Sequence, residues 1–312
     1  MIVRRVTRSG LNWHARRLGR SALRRWPPPS GRSWAIGVYR GPSPLCLEAV
    51  ADQPAPVLTA EDVTDIPADF VADPFVVEHR GTWHMFFEVM NRRLGKGEIA
   101  HATSADGIAW HYDRSVLAER LHLSYPCVFE WQGEFFMVPE TRSAREVRLY
   151  RAGSFPGGWR PVAVLLKGFE CADATVFRHG ERWWMFAEGG TIRNSTLRLF
   201  WSDDLFHGWG EHPRSPIVSG NAHIARPGGR VISDGGRLYR FAQDCDPDYG
   251  LNVRAFEITQ LTPGSYVEQP ASERPILEAG DQPWNAGGMH HVDAHQTGDG
   301  GWFAAVDGWS RR

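Results

Sequence analysis

The sequence is short of lysine, of closely spaced cysteines and of long apolar runs, and each shortage excludes something. Lysine occurs only at Lys96 and Lys167, so nearly every basic residue is arginine, which reads as genome composition rather than function. The four cysteines, Cys46, Cys127, Cys171 and Cys245, show no C-x-x-C spacing, so neither a zinc knuckle nor a redox pair is signalled and free thiols are expected. No apolar run approaches the roughly 18 residues of a membrane-spanning helix, and the N-terminus lacks the apolar core of a secretory signal, so a cytoplasmic location is expected. Net charge is also scarce, at −1, but residues 1–32 hold nine Arg and no acid, leaving 26 basic against 36 acidic residues, or −10, elsewhere. An acidic body argues against nucleic acid as a partner.

What is present is aromatic, glycine-rich and repetitive. Fourteen Trp, 33 Gly and 21 Pro with little helical periodicity favour an all-β chain rich in tight turns. The stretch ADPFVVEHRGTWHMFFE, Ala72 to Glu88, returns in variant form four times at intervals of roughly 50 residues. The returns are SYPCVFEWQGEFFMVPE (Ser124 to Glu140), CADATVFRHGERWWMFAE (Cys171 to Glu188), ARPGGRVISDGGRLYRFAQ (Ala225 to Gln243) and HHVDAHQTGDGGWFAAVD (His290 to Asp307). Each is a strand, a glycine turn and an aromatic strand closing on an acid or amide, and the segments between repeats supply a third and fourth strand. Repeats of this kind predict a five-bladed β-propeller. The last repeat stops at Trp309 after its second strand, and Trp34 to Arg40 with Leu45 to Val50 have the shape of the missing pair. The N-terminal strands are therefore expected to complete blade 5 and close the ring, which removes a free edge.

Residues 34–312 are thus expected to form the propeller, and residues 1–33 a separate basic helix or tail. Leu11, Ala15, Leu18 and Ala22 recur at helical spacing, with Arg16, Arg17, Arg20 and Arg24 elsewhere on the helix and Pro27 to Pro29 ending it. Such an element suits a peripheral membrane or protein contact, or simply rests on the acidic body.

The start of each inner strand should crowd one mouth of the channel, which places Asp73, Tyr125, Asp173, Arg226 and one of His290 or His291 together. Either these side chains bind a ligand, or they satisfy one another and bound water. A second ring closes the second strands: Glu88, Glu140, Glu188, Gln243 with Asp244, and Asp307. An acid at the end of an apolar run such as MVPE or MFAE suits a general acid with a raised pKa, whereas a repeated structural role at the blade ends is the plainer reading of the ring as a whole. In MHHVDAH, alternation puts His291, Asp293 and His295 on one strand face and His290 on the other, a spacing that lacks a further ligand for a metal. Asp246-x-Asp248 opens like a calcium loop without the remaining ligands. No metal or cofactor is expected. Arg226 and Arg230 flank two glycines, and Asp244, Asp246, Asp248 and Tyr249 follow the second strand, a set suited to sugar hydroxyls or an anionic group.

ADPF with FFE, SYPCVFE with PET, DATVF with WWMFAE, RPGGR with YRFAQDC, and HHVDAH together resemble the N-terminal domain of the plant glucosamine inositolphosphorylceramide transferase family and its bacterial relatives, over Trp34 to Trp309. In the plant proteins a separate glycosyltransferase domain follows, so transferase activity of that kind is not expected to carry over to the residues that match. More distantly, the architecture is similar to the five-bladed family 43 and family 32 glycoside hydrolases. That resemblance implies Asp73 as base or nucleophile and Asp173 as the carboxylate that tunes pKa and holds substrate. Family 43 puts its acid, a Glu, on a later channel strand, where this chain has Arg226. Glu170-Cys171 resembles the family 32 acid motif. The expectation is a carbohydrate-active propeller that binds a glycan or sugar conjugate at the mouth. If it is a glycosidase, Glu140 or Glu188 is the acid, while Tyr125, Arg226, Asp244, His290, His291 and Asp293 contact substrate. The alternative is a non-catalytic glycan-binding or assembly module.

Overall fold

The computed structural model describes residues 31–50 and 56–312. Residues 1–30, where the basic helix is expected, lie outside the described residues. The rest forms five antiparallel sheets set around an axis. Blade 1 runs Ala68–His79, Thr82–Asn91, Lys96–Ser104 and His111–Leu117 from the axis outward. Blade 2 runs Ser124–Trp131, Glu134–Glu140, Glu146–Arg151 and Arg160–Lys167. Blade 3 has Ala172–His179, Arg182–Glu188 and Thr196–Ser202, edged by the short Gly210–Glu211 and Val218–Ser219. In blade 4 the inner strand is broken into Arg226–Pro227 and Ile232–Asp234, both paired to Arg237–Asp244, with Asn252–Thr262 and Ser265–Pro270 outside. The glycine hairpins read from the sequence are present. Arg80-Gly81 and Gln132-Gly133 both adopt positive φ, as a two-residue turn matched to strand twist requires.

Blade 5 shows the expected closure. Gly288–Gln296 and Trp302–Arg311 are continued outward by Arg32–Ser43 and Cys46–Ala49. The first and last strands pair without a break from Arg32 with Arg311 to Gly41 with Trp302. Small residues permit this junction: a Cβ at Gly37 would stand 2.5 Å from the Trp284 ring.

The axis is filled rather than open. Arg230 of blade 4 is bidentate to Asp293 of blade 5 at 2.8 and 3.3 Å, and donates to Val128 O of blade 2 and Val76 O of blade 1 at 2.9 and 3.0 Å. Asp293 also accepts from Val76 N at 2.6 Å and pairs with His295 at 2.9 Å. Nearer the mouth, the Tyr125 hydroxyl of blade 2 lies 2.8 Å from Thr175 Oγ1 of blade 3 and accepts from Gly229 N of blade 4 at 2.8 Å. His291 is fully buried between the rings of Phe75 and Tyr125. The plug ties all five blades. It also corrects the expectation that Tyr125, His291 and Asp293 contact substrate, since all three are buried in the axis, Tyr125 and Asp293 through their hydrogen bonds and His291 through ring packing that leaves both of its nitrogens without a partner. The longer Tyr125 side chain reaches into the axis to bond Thr175 and Gly229, where the shorter Asp73 stays on the cavity wall.

Removing residues 1–50 should abolish cooperative folding, because blade 5 loses its outer pair, whereas removing residues 1–30 should leave the melting temperature near that of the full chain; equal melting of both truncations would disprove the closure. Arg230→Met strands Asp293 as a buried charge and should cost about 3–5 kcal/mol in denaturant unfolding, with Asp293→Leu added to it recovering much of that loss.

Candidate functional site at the propeller mouth

Three repeats carry the same local distortion. Pairing between the first and second strands slips between Ala72 and Phe75, Ser124 and Cys127, and Ala172 and Thr175. Within the slips Asp73, Tyr125 and Asp173 take φ of 55°, 47° and 50°. A bulge turns its residue out of the pleat, and a left-handed conformation at a non-glycine residue costs about 1 kcal/mol or more. Neighbouring blades hold the strain: Asp73 N donates to Asp307 Oδ2 at 2.8 Å, and Tyr125 N donates to Asp73 Oδ2 at 3.2 Å.

The same registers place Glu88 across from Ala72, Glu140 from Ser124, Glu188 from Ala172, Gln243 from Arg226 and Asp307 from His291. The acids at the second-strand ends therefore point into the same mouth as the inner-strand residues. They divide by role. Asp307 holds the backbone of Asp73 and the Nδ1 of His290, the latter at 2.6 Å. Glu188 accepts from Asn194 N at 2.9 Å and so braces the blade 3 loop, and Gln243 donates to Asp173 at 2.8 Å. Glu88 and Glu140 instead line a cavity of about 380 Å³. Their buried Oε1 and Oε2 atoms, respectively, have no hydrogen-bond partner, although His122 stands 3.5 Å from the first and Arg226 3.7 Å from the second. Buried acceptors left open are rare and suit the hydroxyls of a bound molecule.

Asp73, Glu140, Arg226 and His290 lie on the cavity wall. Asp173 sits behind it, gripped by Arg226 at 2.6 and 3.2 Å, while Arg226 also donates to Asn194 Oδ1 at 3.0 Å. Asp244 is a correction: it bonds His223 and Asn252 at the base of the blade 4 loop and does not face the cavity, because the Asp246–Tyr249 turn carries Tyr249 there instead. Sequence reasoning missed Arg32, Trp34, Phe70, His122, Arg193 and Asn194, which complete the wall. Trp34 comes from the closing strand and covers His290 with ring centroids 4.1 Å apart. Its pairing opposite Trp309 was the signal available for it. Glu88 was legible by its alignment with Glu140.

Burial governs the charges. It pushes Asp73 up to about 7, opposed by His290 and reinforced by Asp173 and Asp307. Asp173 is raised to about 6 by burial despite Arg226. Glu88 is raised well above the carboxylate range, by burial first and then by Asp73 and Glu140. Burial would lower His290, but Asp307 outweighs it and the imidazole is held above its ordinary value. His122 falls to about 4 through burial and the nearby Arg226 and Lys96. The mouth thus sets Glu88, whose carboxyl holds its proton more tightly than an ordinary carboxylate, in one cavity with Asp73, raised to about 7. Asp73, His290 and Asp307 also bring one possible metal-ligand atom each within 4.8 Å of one another, but Asp307 is already committed to Asp73 N and His290.

The family described as "Glucosamine inositolphosphorylceramide transferase 1, N-terminal" matches residues 28–309. A glucosamine inositolphosphorylceramide transferase 1 from Oryza sativa subsp. japonica is 37% identical over 303 residues, covering 90% of this chain and 40% of the relative. The Arabidopsis thaliana protein of that name is 34% identical over 301 residues, covering 88% and 39%. The chain therefore spans about 40% of the length of these plant relatives. Among solved structures, a thermostable family-43 glycoside hydrolase superposes with TM-score 0.55 at 14% identity, covering 77% of this chain and 89% of its own. A Cellvibrio cellulosa α-L-arabinanase complexed with arabinohexaose gives 0.53 at 14%, covering 76% and 94%. These structures share the propeller fold.

Asp73 carries a raised folded-state pKa, so ionising it works against folding. The penalty is absent below about pH 4, grows as pH rises, and is complete above about pH 7. Asp73→Asn should therefore gain stability relative to wild type between about pH 4 and 8, by up to a few kcal/mol in chemical denaturation. A stability difference that stays flat with pH would show that Asp73 titrates normally.

Proposed function

The chain belongs to the family of the glucosamine inositolphosphorylceramide transferase 1 N-terminal domain, and on that premise we propose that it binds a glycan or sugar conjugate in the mouth cavity and acts on a glycosidic bond there. The observation that carries this reading is the pairing, on one cavity wall, of Asp73, raised to about 7, with Glu88, whose carboxyl is raised well above its ordinary value and whose Oε1 is left open. Glu88 delivers its proton to the glycosidic oxygen as the carbon–oxygen bond breaks. The Asp73 carboxylate takes the proton of the attacking water or acceptor hydroxyl. Glu140 and Arg226 hold sugar hydroxyls, and Trp34 and Tyr249 provide apolar faces for the ring. The cavity suits a short sugar unit rather than an extended chain, which fits the headgroup of a conjugate.

A second reading, glycan binding without turnover, is favoured by one feature. Arg226 and Gln243 occupy both oxygens of Asp173, which turns that carboxylate to holding Arg226 rather than to facing substrate.

A glycan array followed by product analysis on the hits separates the two. Under the first reading Asp73→Asn and Glu88→Gln retain binding but lose about 10²- to 10⁴-fold in turnover, and wild-type kcat/KM rises with pH through about 7 as Asp73 ionises. Under the second, no hit is turned over and Glu140→Gln weakens binding. Binding that survives Glu140→Gln and Arg226→Met together would remove the cavity from both readings.

A further inference from the structure

We propose that the mouth face of blades 1–3 docks on an anionic lipid bilayer and so presents the cavity to headgroups in the membrane surface. Ile192 and Leu94 are the most exposed large apolar residues described, at 68% and 56%. Both occupy loops between a second and a third strand, and these loops open at the cavity. Glu88 and Met90 at the foot of the first loop, and Arg193 and Asn194 within the second, line its wall.

The two tips are built outward by fixed bonds. Asn91 Oδ1 accepts from Arg93 N and Leu94 N at 3.1 and 3.2 Å, and Gly95 N returns to Asn91 O at 2.8 Å. In blade 3, Ser195 Oγ donates to Ile192 O at 2.9 Å while Glu188 secures Asn194 N. Each apolar tip thus stands in water on a braced turn, with exposed arginines beside it: Arg92 and Arg93 next to Leu94, and Arg193 next to Ile192. Apolar points that enter the acyl boundary, with guanidiniums at headgroup level, are the chemistry of interfacial attachment.

A bilayer fits better than a protein partner for geometric reasons. The tips rise from blades 1 and 3 with blade 2 between them, so they form no common groove for a peptide side chain, whereas a soft planar surface meets both. Charge runs the same way. Residues 1–30 carry eight Arg and no acid, and they join the fold at Gly31 and Arg32, the latter on the cavity wall. Asp248 of the blade 4 loop shares that wall, where its charge is met by Arg32. The inference concerns the rim and is independent of the chemistry inside the cavity.

The test is co-sedimentation of the full-length protein with vesicles of phosphatidylcholine containing about 30% phosphatidylserine, beside phosphatidylcholine alone. Binding to the anionic vesicles is expected, weakening with salt. It should fall about tenfold or more in Leu94→Asp with Ile192→Asp, and comparably in Arg92→Glu with Arg93→Glu, with melting temperatures unchanged. Val267→Asp, at a residue 47% exposed on the blade 4 outer strand, should bind as wild type. No sedimentation of the wild type would overturn the proposal. So would full binding by the Leu94 and Ile192 variant, which would leave the N-terminal arginines as the whole attachment. Self-association lost in that variant, without vesicle binding, would assign the tips to a second copy of the chain instead.

Discussion

Arg230 and Asp293 sit where five sheets converge, and the arrangement of the rest depends on how their charges are met. A buried ion pair alone is poor stabilisation, since the desolvation of both groups offsets their attraction. Here the guanidinium and the carboxylate each make further bonds beyond the pair. Arg230 takes carbonyls of Val76 and Val128, and Asp293 takes Val76 N and His295. Burial would raise Asp293, but Arg230 and His295 hold it far below the ordinary carboxylate range. The pair therefore sets the register of blades 1, 2, 4 and 5 about the axis. Apolar packing between sheets, being non-directional, would leave that register loose.

With the axis sealed by this pair and by Tyr125, the mouth becomes a closed-bottomed cavity instead of a channel. Water reaches the carboxylates from one side only. That is the origin of the raised Asp73 and Glu88: too few cations for the acids present, in a site too buried for solvent to screen them. Asp173 meets the same burial but has Arg226 against it, and is raised less. Stability is given up at Asp73 in exchange for a group that titrates near neutral pH, as proton-transfer sites require.

Ring closure and site assembly are one event. The strand that completes blade 5 brings Arg32 and Trp34 to the cavity, and its partner strand brings Asp307, which holds the strained backbone of Asp73 across the blade boundary. A chain with an open ring would therefore lose the aromatic cover of His290 as well as an edge.

The sequence by itself determined the architecture. Alternation, glycine turns and a repeat of fixed grammar are local properties, and five hairpins with an incomplete last unit leave a closed propeller as the way to pair every inner strand. It also determined which residues begin the inner strands, and so that Asp73, Arg226 and one of His290 or His291 would meet; the fold chose His290. The tertiary structure decided which of those side chains remain available. Tyr125 and Asp73 share a backbone conformation, yet one plugs the axis and the other faces the cavity, because the tyrosine hydroxyl finds Thr175 and the Gly229 backbone inside the axis. Asp293 is likewise consumed by Val76, over a hundred residues away in the chain, and by the nearer Arg230, while His291 is walled in by the rings of Phe75 and Tyr125. The acids closing the second strands read alike in sequence, but only the packed blades separate Asp307 and Glu188, which brace backbone away from the cavity wall, from Glu88 and Glu140, which line it with an oxygen left open. Such pairings depend on distances between blades, and no local pattern in the chain encodes them.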